Sequence, residues 1–219
     1  MSTLPTLYSF RRCPYAMRAR MALWIAGIAV ELREVKLADK PPELTAASAK
    51  ATVPVLVLTD GAIIEESIAI MRWALAQSDP ENWLDGDDAG LIAQADGPFK
   101  HHLDRYKYPN RYSEEPDQGA VDHRALGLAI LEQWDARIGA LGQLCRANRS
   151  LSDIALFPFI RQFANHDRGW FDALDLPHLH PWLAGHLASN LFAQIMPKFT
   201  PWKSGDAPIA FGPMIETGV

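Results

Sequence analysis

The amino-acid sequence predicts an α/β domain with a mixed sheet, followed by an all-helical domain. Three observations predict it. Over residues 5–75 short β-forming runs alternate with helix-periodic stretches. From about Gln77 to Asp88 the composition turns to Asp, Pro, Glu, Asn and Gly, as linkers do. Beyond that point apolar residues recur only at helical spacing. The expected boundaries are a first domain over 1–78, a linker over 79–88 and a helical domain over 89–219.

Thr6 to Phe10 is rich in β-formers and gives the first strand. Cys13-Pro14 opens a helix, because proline suits the first helical position, and Met17, Met21, Trp24 and Ile25 share one face until Gly27 stops it. Val30 to Leu37 reads as a second strand whose alternation slips midway, and Pro41 to Ala49 as a short helix. Val55 to Leu58, the Asp60-Gly61 turn and Ala62 to Ile64 make a hairpin. Ser67 then starts a helix that carries Ile68, Met71, Trp73 and Leu75. A strand–helix–strand unit calls for a parallel pair and the hairpin adds an antiparallel one, so the sheet is mixed. Further on, Leu126, Ile130, Trp134, Ile138, Leu141 and Cys145 describe one face of a long helix, and Ser150-Leu151-Ser152-Asp153 reads as a capping box. Tyr106 to Gly119, with Pro109 and Pro116, reads as a loop, and the proline-rich tail Lys198 to Val219 as irregular surface chain.

The 219 residues are 48% hydrophobic and 21% charged, which excludes disorder for the bulk of the chain. Lys plus Arg number 21 against 26 Asp plus Glu, a net charge of -5. No basic excess remains to neutralise phosphates, so a nucleic-acid partner is not expected. Apolar runs such as Met21 to Ile25 fall far short of the roughly 20 residues that span a bilayer, so no membrane partner is expected either. Met1 to Leu7 shows no charged leader ahead of an apolar core, and a cytoplasmic location is the expectation.

Cys13 is the sharpest chemical feature. It sits where a strand ends and Pro14 opens a helix, so it is expected at the N-cap, where the helix dipole favours an anion and lowers a thiol pKa. Arg11, Arg12, Arg18 and Arg20 add four guanidinium groups nearby, a field that favours a thiolate and an anionic ligand. Read blandly, Cys13 would be a small buried hydrophobe, the Val53-Pro54 bond trans, and Ser67 an N-cap beside solvated glutamates. The helix start at Glu66-Ser67 also suits a carboxylate on its N–H groups and an amine on Glu66. Cys145, on its apolar stripe, reads as structural. His101-His102 and His178-x-His180 lack a carboxylate or cysteine partner at ligand spacing, so no metal site is expected.

Cys13-Pro14-Tyr15-Ala16 after a short strand, Val53-Pro54-Val55-Leu56, and Glu66-Ser67 opening a helix together resemble the thioredoxin-like, glutathione-binding domain of the glutathione S-transferase family. The pattern is similar to its cysteine-bearing classes, omega-like and related bacterial enzymes. Gly27, Lys40-Pro41, the Ser150 to Asp153 box and Leu179 to Leu183 extend the likeness, strongly to Leu75 and loosely afterwards. The resemblance implies a cis bond at Pro54, with the Val53 backbone pairing the cysteinyl part of glutathione. It implies that Glu66 and Ser67 hold the γ-glutamyl amine and carboxylate, that Lys40 reaches the glycyl end, and that Cys13 faces the glutathione sulfur. Tyr106, Tyr108 and Tyr112 would line the second-substrate pocket; ordinary packing is the competing reading. Arg149 departs from the family by standing where an apolar residue precedes the capping serine. Tyr8 and Ser9 read as strand residues and not as the activating hydroxyl of other classes.

The function so implied is a glutathione-dependent transferase, with thiol transfer or deglutathionylation through Cys13 as a single nucleophile. Ala16 stands where a second cysteine would, which excludes a dithiol mechanism. Glutathione is the expected co-substrate, without a metal. A small electrophile or mixed disulfide is the expected second substrate, and a homodimer the expected assembly, with Met71, Trp73 and Leu75 covering more helix surface than one core would bury. A non-catalytic binding protein of the same family and a glutathione-dependent isomerase or dehalogenase are the alternatives.

Overall fold

A strand must find partners for its backbone N–H and C=O groups, and β1 (Thr6–Ser9) finds them on both sides. It pairs in parallel with β2 (Val30–Glu34) and antiparallel with β3 (Val55–Val57), which forms a hairpin with β4 (Ile63–Glu65). The structure, a computed structural model, describes residues 4–115 and 120–213. Met1–Thr3 of the expected leaderless start, Pro116–Gly119 of the expected loop and the end of the expected irregular tail lie outside the described residues.

The mixed sheet, completed by β5 (Ile209–Phe211), has the order β4-β3-β1-β2-β5. In register, Leu7 stands opposite both Leu32 and Leu56, and all three are fully buried as one apolar row. Tyr8 and Val55 point to the other face, where α2 (Pro42–Ala47) adds Leu44. The hairpin turns at Gly61 (φ 88°), and Asp60 accepts the Ala62 N–H at 2.9 Å. The sheet and α1 (Pro14–Ile25) lie in a first unit, Met1–Asn82 with Ser189–Val219; Trp83–Ala188 form a second. α3 (Ser67–Gln77) and α10 (Asn190–Ile195) pack on α1.

Three sequence expectations are corrected here. The tail is not irregular throughout, because β5 (Ile209–Phe211) pairs antiparallel with β2, and Trp202 donates its N–H to the Glu34 carbonyl. An exposed edge on β2 needs covering, and three residues between turns are too few to show a strand period. α1 is not amphipathic: Arg18 and Arg20 are as buried as Met17 and Met21. Met71 and Leu75 are consumed by the core of their own chain, so only the half-buried Trp73 remains of the apolar surplus read as interface material.

The second unit is helical: α4 (Ala89–Gln94), α5 (Lys100–Lys107), α6 (His123–Leu141), α7 (Leu151–Ala164), α8 (Arg168–Asp172) and α9 (Leu179–Ala188). Pro98 lacks an N–H, and a π-turn over Ala95–Phe99 joins α4 to α5 there. Phe99 is the hub of the core, its ring 4.8 Å from Trp134 and 5.6 Å from Phe163. The capping box forms as read, and buried Asp153 accepts four donors: Ser150 N–H (2.8 Å), Ser150 Oγ–H (2.6 Å), Leu144 N–H (2.9 Å) and Trp182 Nε1–H (3.0 Å). Arg149, where a staple residue was missed, lies over the Trp83 ring. The long helix stops earlier than its stripe implied. Gly142, at φ 89°, caps α6 and places Cys145 in the following loop; Leu126 and Leu141, on the helix itself, are exposed. Part of the expected linker is also structured, since Trp83–Gly86 form a 3₁₀ turn with Trp83 fully buried.

Candidate active site

The N-cap of α1 is Cys13, in extended conformation (φ -72°, ψ 122°), with Pro14 in the first helical turn. Its thiol is aimed across the loop that precedes β3: Cys13 Sγ stands 3.6 Å from the Val53 carbonyl oxygen. The Val53-Pro54 peptide bond is cis, against the bland trans expectation. Cys13 is partly exposed at the positive end of a twelve-residue helix, which favours a thiolate, while the Val53 carbonyl, an acceptor, favours the protonated thiol.

The arginine field is smaller than the sequence implied. Arg20 is enclosed and bound to Glu34 at 2.5 Å, and Glu34 also accepts the Arg11 N–H at 2.7 Å. Burial pulls the Arg20 guanidinium below its ordinary value and Glu34 pulls it back; a Cys13 thiolate acts in the same upward sense, more weakly. Arg18 is enclosed as well, and its Nη1 donates to Ser67 Oγ at 3.4 Å. Two of the four arginines are thus internal supports and not a solvated cluster.

α3 starts at Ser67, as the sequence predicts, but the bland reading of Ser67 as its N-cap is corrected. Glu66, not Ser67, is the N-cap, and Ser67 is the first helical residue, nearly buried. Glu66 adopts φ 67° and ψ 127°, a region that costs a residue with a Cβ about 1–3 kcal/mol. Its carboxylate makes no cap bond to its own helix and turns outward, where it holds the Lys50 ammonium at 2.7 Å. The Glu66 hydrogen bond raises the Lys50 pKa. Ser67 Oγ accepts from Arg18, so its hydroxyl hydrogen is available to an incoming oxygen. Beside them Ser48 donates to Glu65.

Lys50 is the site neighbour that the sequence reading missed, and Arg18, read there as part of a charge field, is instead the donor to Ser67. A pairing across sixteen residues, and a buried cation within an apolar helix face, leave no periodic signal. Lys40 stands in the loop before α2. With Lys36, Pro41, Trp202 and Lys203 it lines a cleft of about 350 Å³. The three tyrosines lie in the second unit. Tyr106 packs on Phe163 (5.1 Å) and His166 (4.5 Å), and burial raises its pKa. Tyr112 lies under Arg105, and Tyr108 between Lys107 and Arg111.

A β–α–β start, a thiol at the first N-cap, an X-Pro cis bond facing it and an outward carboxylate opening α3 make a recognisable set. Residues 7–83 match the family model of the glutathione S-transferase N-terminal domain. Glutathione S-transferase omega-1 of Rattus norvegicus is 37% identical to this chain over 82 residues, covering 37% of this chain and 34% of the relative. The probable glutathione S-transferase BZ2 of Zea mays is 33% identical over 95 residues, covering 42% of this chain and 39% of the relative. The matches therefore span about two fifths or less of these relatives' length.

The fold likeness to glutathione S-transferases extends over nearly the whole chain. A glutathione transferase family member from Pseudomonas fluorescens with two glutathione bound has a TM-score of 0.72 at 18% identity, over 88% of this chain and 92% of that one. A glutathione S-transferase from Rhodospirillum rubrum has a TM-score of 0.69 at 22% identity, over 94% and 96%. These likenesses show the fold: a thioredoxin-like domain with a mixed sheet and a helical part.

Proposed function

We propose that this chain is a glutathione-dependent thiol transferase of the cysteine-bearing, omega-like kind, with Cys13 as its nucleophile. The observation that carries the reading is the position of Cys13 Sγ at the α1 N-terminus, 3.6 Å from the Val53 carbonyl. Val53, with its cis bond to Pro54, offers a backbone edge to the cysteinyl part of glutathione. Glu66 already holds an ammonium, the group that the γ-glutamyl amine presents, and Ser67 supplies a hydroxyl beside the N–H groups that open α3. Lys40, in its lysine-lined cleft, is assigned to the glycyl carboxylate. The reading includes a homodimer, the commonest closed assembly of soluble chains, and a cytoplasmic location. No helix among the described residues is long and apolar enough to cross a membrane.

In the proposed cycle the Cys13 thiolate attacks the glutathionyl sulfur of a mixed disulfide. A bond forms between Cys13 and that sulfur, and the partner thiolate leaves and takes up a proton from solvent. A second glutathione, as thiolate, attacks the glutathionyl sulfur, releasing oxidised glutathione and restoring Cys13. Tested by mass spectrometry after exposure to oxidised glutathione, the protein is expected to carry one glutathionyl group, on Cys13. An adduct confined to Cys145, or none at either cysteine, overturns the assignment.

A further inference from the structure

His101 and His102 are neighbours on α5, and adjacent residues of a helix do not ordinarily face each other. His123, which opens α6, bridges them. The ring centroids form a triangle of 5.0 Å (His101 to His102), 5.6 Å (His101 to His123) and 5.2 Å (His102 to His123). One ligand-capable atom from each residue lies within 4.8 Å of the other two. His102 Nδ1 and His123 Nδ1 are 2.9 Å apart, with His123 buried, His102 half-buried and His101 exposed. The guanidinium beside the cluster, Arg105, is already engaged by both oxygens of Glu115, at 2.7 and 2.5 Å.

We propose that His101, His102 and His123 form a three-imidazole binding site for a divalent transition-metal cation of the zinc class. Imidazole nitrogen suits Zn²⁺, Ni²⁺ and Cu²⁺, whereas Mg²⁺ and Ca²⁺ require an oxygen set that this cluster lacks. Zinc binds nitrogen at about 2.0–2.1 Å, so tetrahedral ligand nitrogens stand about 3.3 Å apart. The close His102–His123 pair must open by a few tenths of an ångström, and His101, the exposed member, must turn inward. A fourth position is then open to water, as in zinc sites of three protein ligands. The competing arrangement is a plain hydrogen bond between His102 and His123 with His101 solvated. The sequence reading set aside a metal at His101-His102 for want of a carboxylate or cysteine at ligand spacing; the third imidazole, His123, lies twenty-one residues beyond His102.

The test uses the untagged full chain, stripped with a chelator and titrated with Zn²⁺ by calorimetry and with Co²⁺ by visible absorption. The expected result is about one equivalent bound and a ligand-field spectrum of nitrogen coordination. His101→Asn and His102→Asn are each expected to weaken binding by at least about tenfold, the low end of the loss seen when mere supporting groups of metal ligands are removed. His101 is exposed, so its variant keeps the test alive if His123→Asn fails to fold. Cys13→Ser is expected to bind as the parent does, which separates this site from the thiol. Absence of binding at millimolar Zn²⁺, or affinity unchanged in both histidine variants, overturns the proposal and leaves the glutathione reading untouched.

Discussion

Asp153→Ala is expected to be among the most damaging single changes in the helical unit. The carboxylate is fully buried and receives three N–H groups, from Ser150, Leu144 and Trp182, as well as the Ser150 hydroxyl. Truncation leaves the three N–H donors buried without their acceptor. Each orphaned donor costs about 1–3 kcal/mol, the Ser150 hydroxyl can turn elsewhere, and water can enter the vacated space. The expected loss is therefore about 3–5 kcal/mol, which for a chain of this size lowers Tm by about 6–20 °C. Asp153→Asn is the informative control. Its oxygen can keep Leu144 and Trp182, but its NH₂ then faces the Ser150 N–H, so about half the loss should remain. Urea unfolding followed by circular dichroism and tryptophan fluorescence reads both variants. A loss under about 1 kcal/mol for Asp153→Ala would refute the reasoning, since the three donors would then have found other partners.

His186, buried against Phe157 and Trp182, has its pKa lowered to about 4, first by burial and then by Arg149. The unfolded chain then binds a proton below about pH 6.5 that the folded chain refuses until about pH 4. Stability is therefore present above the unfolded value and lost as pH falls from 6.5 towards 4, by about 3 kcal/mol in all. In His186→Phe, urea midpoints measured from pH 7 to pH 4 should fall less steeply; an identical slope contradicts the assignment. Glu66→Gly should relieve the positive-φ backbone yet remove the carboxylate. Thermal unfolding is expected to be unchanged or raised, while calorimetry shows glutathione binding weakened by about 10–100-fold, the worth of one charged hydrogen bond. Equal affinity would show that Glu66 does not hold the amine.

What was legible in the sequence was what short-range pattern encodes. Cys13-Pro14 marks an N-cap because proline needs no donor there, and Asp60-Gly61 marks a hairpin because glycine accepts positive φ. Ser150 to Asp153 marks a cap because both residues act within one turn. The features that were not legible depend on partners brought from far away. Arg18 and Arg20 look like surface charge until Ser67, Glu34 and the Ile195 carbonyl are seen to receive them inside. β5 exists because β2 has an edge to cover, and three residues carry no period of their own. The stripe through Cys145 held from Ile130 to Ile138 but not at exposed Leu126, and Gly142 ended the helix that the spacing alone would have continued. At the candidate site the helix start at Ser67 was legible, but the cap at Glu66 was not, because the backbone there takes a conformation that side-chain preference does not encode.

The central claim is that Cys13 sulfur is the attacking atom. It is tested most directly by turnover of a glutathionylated peptide with reduced glutathione, comparing the parent chain with Cys13→Ser. The account predicts that the serine variant loses turnover while still binding glutathione by calorimetry, because Val53, Glu66 and Ser67 are unchanged. Unchanged turnover in the variant would contradict it, and the thiol at the α1 N-terminus would then be a bystander.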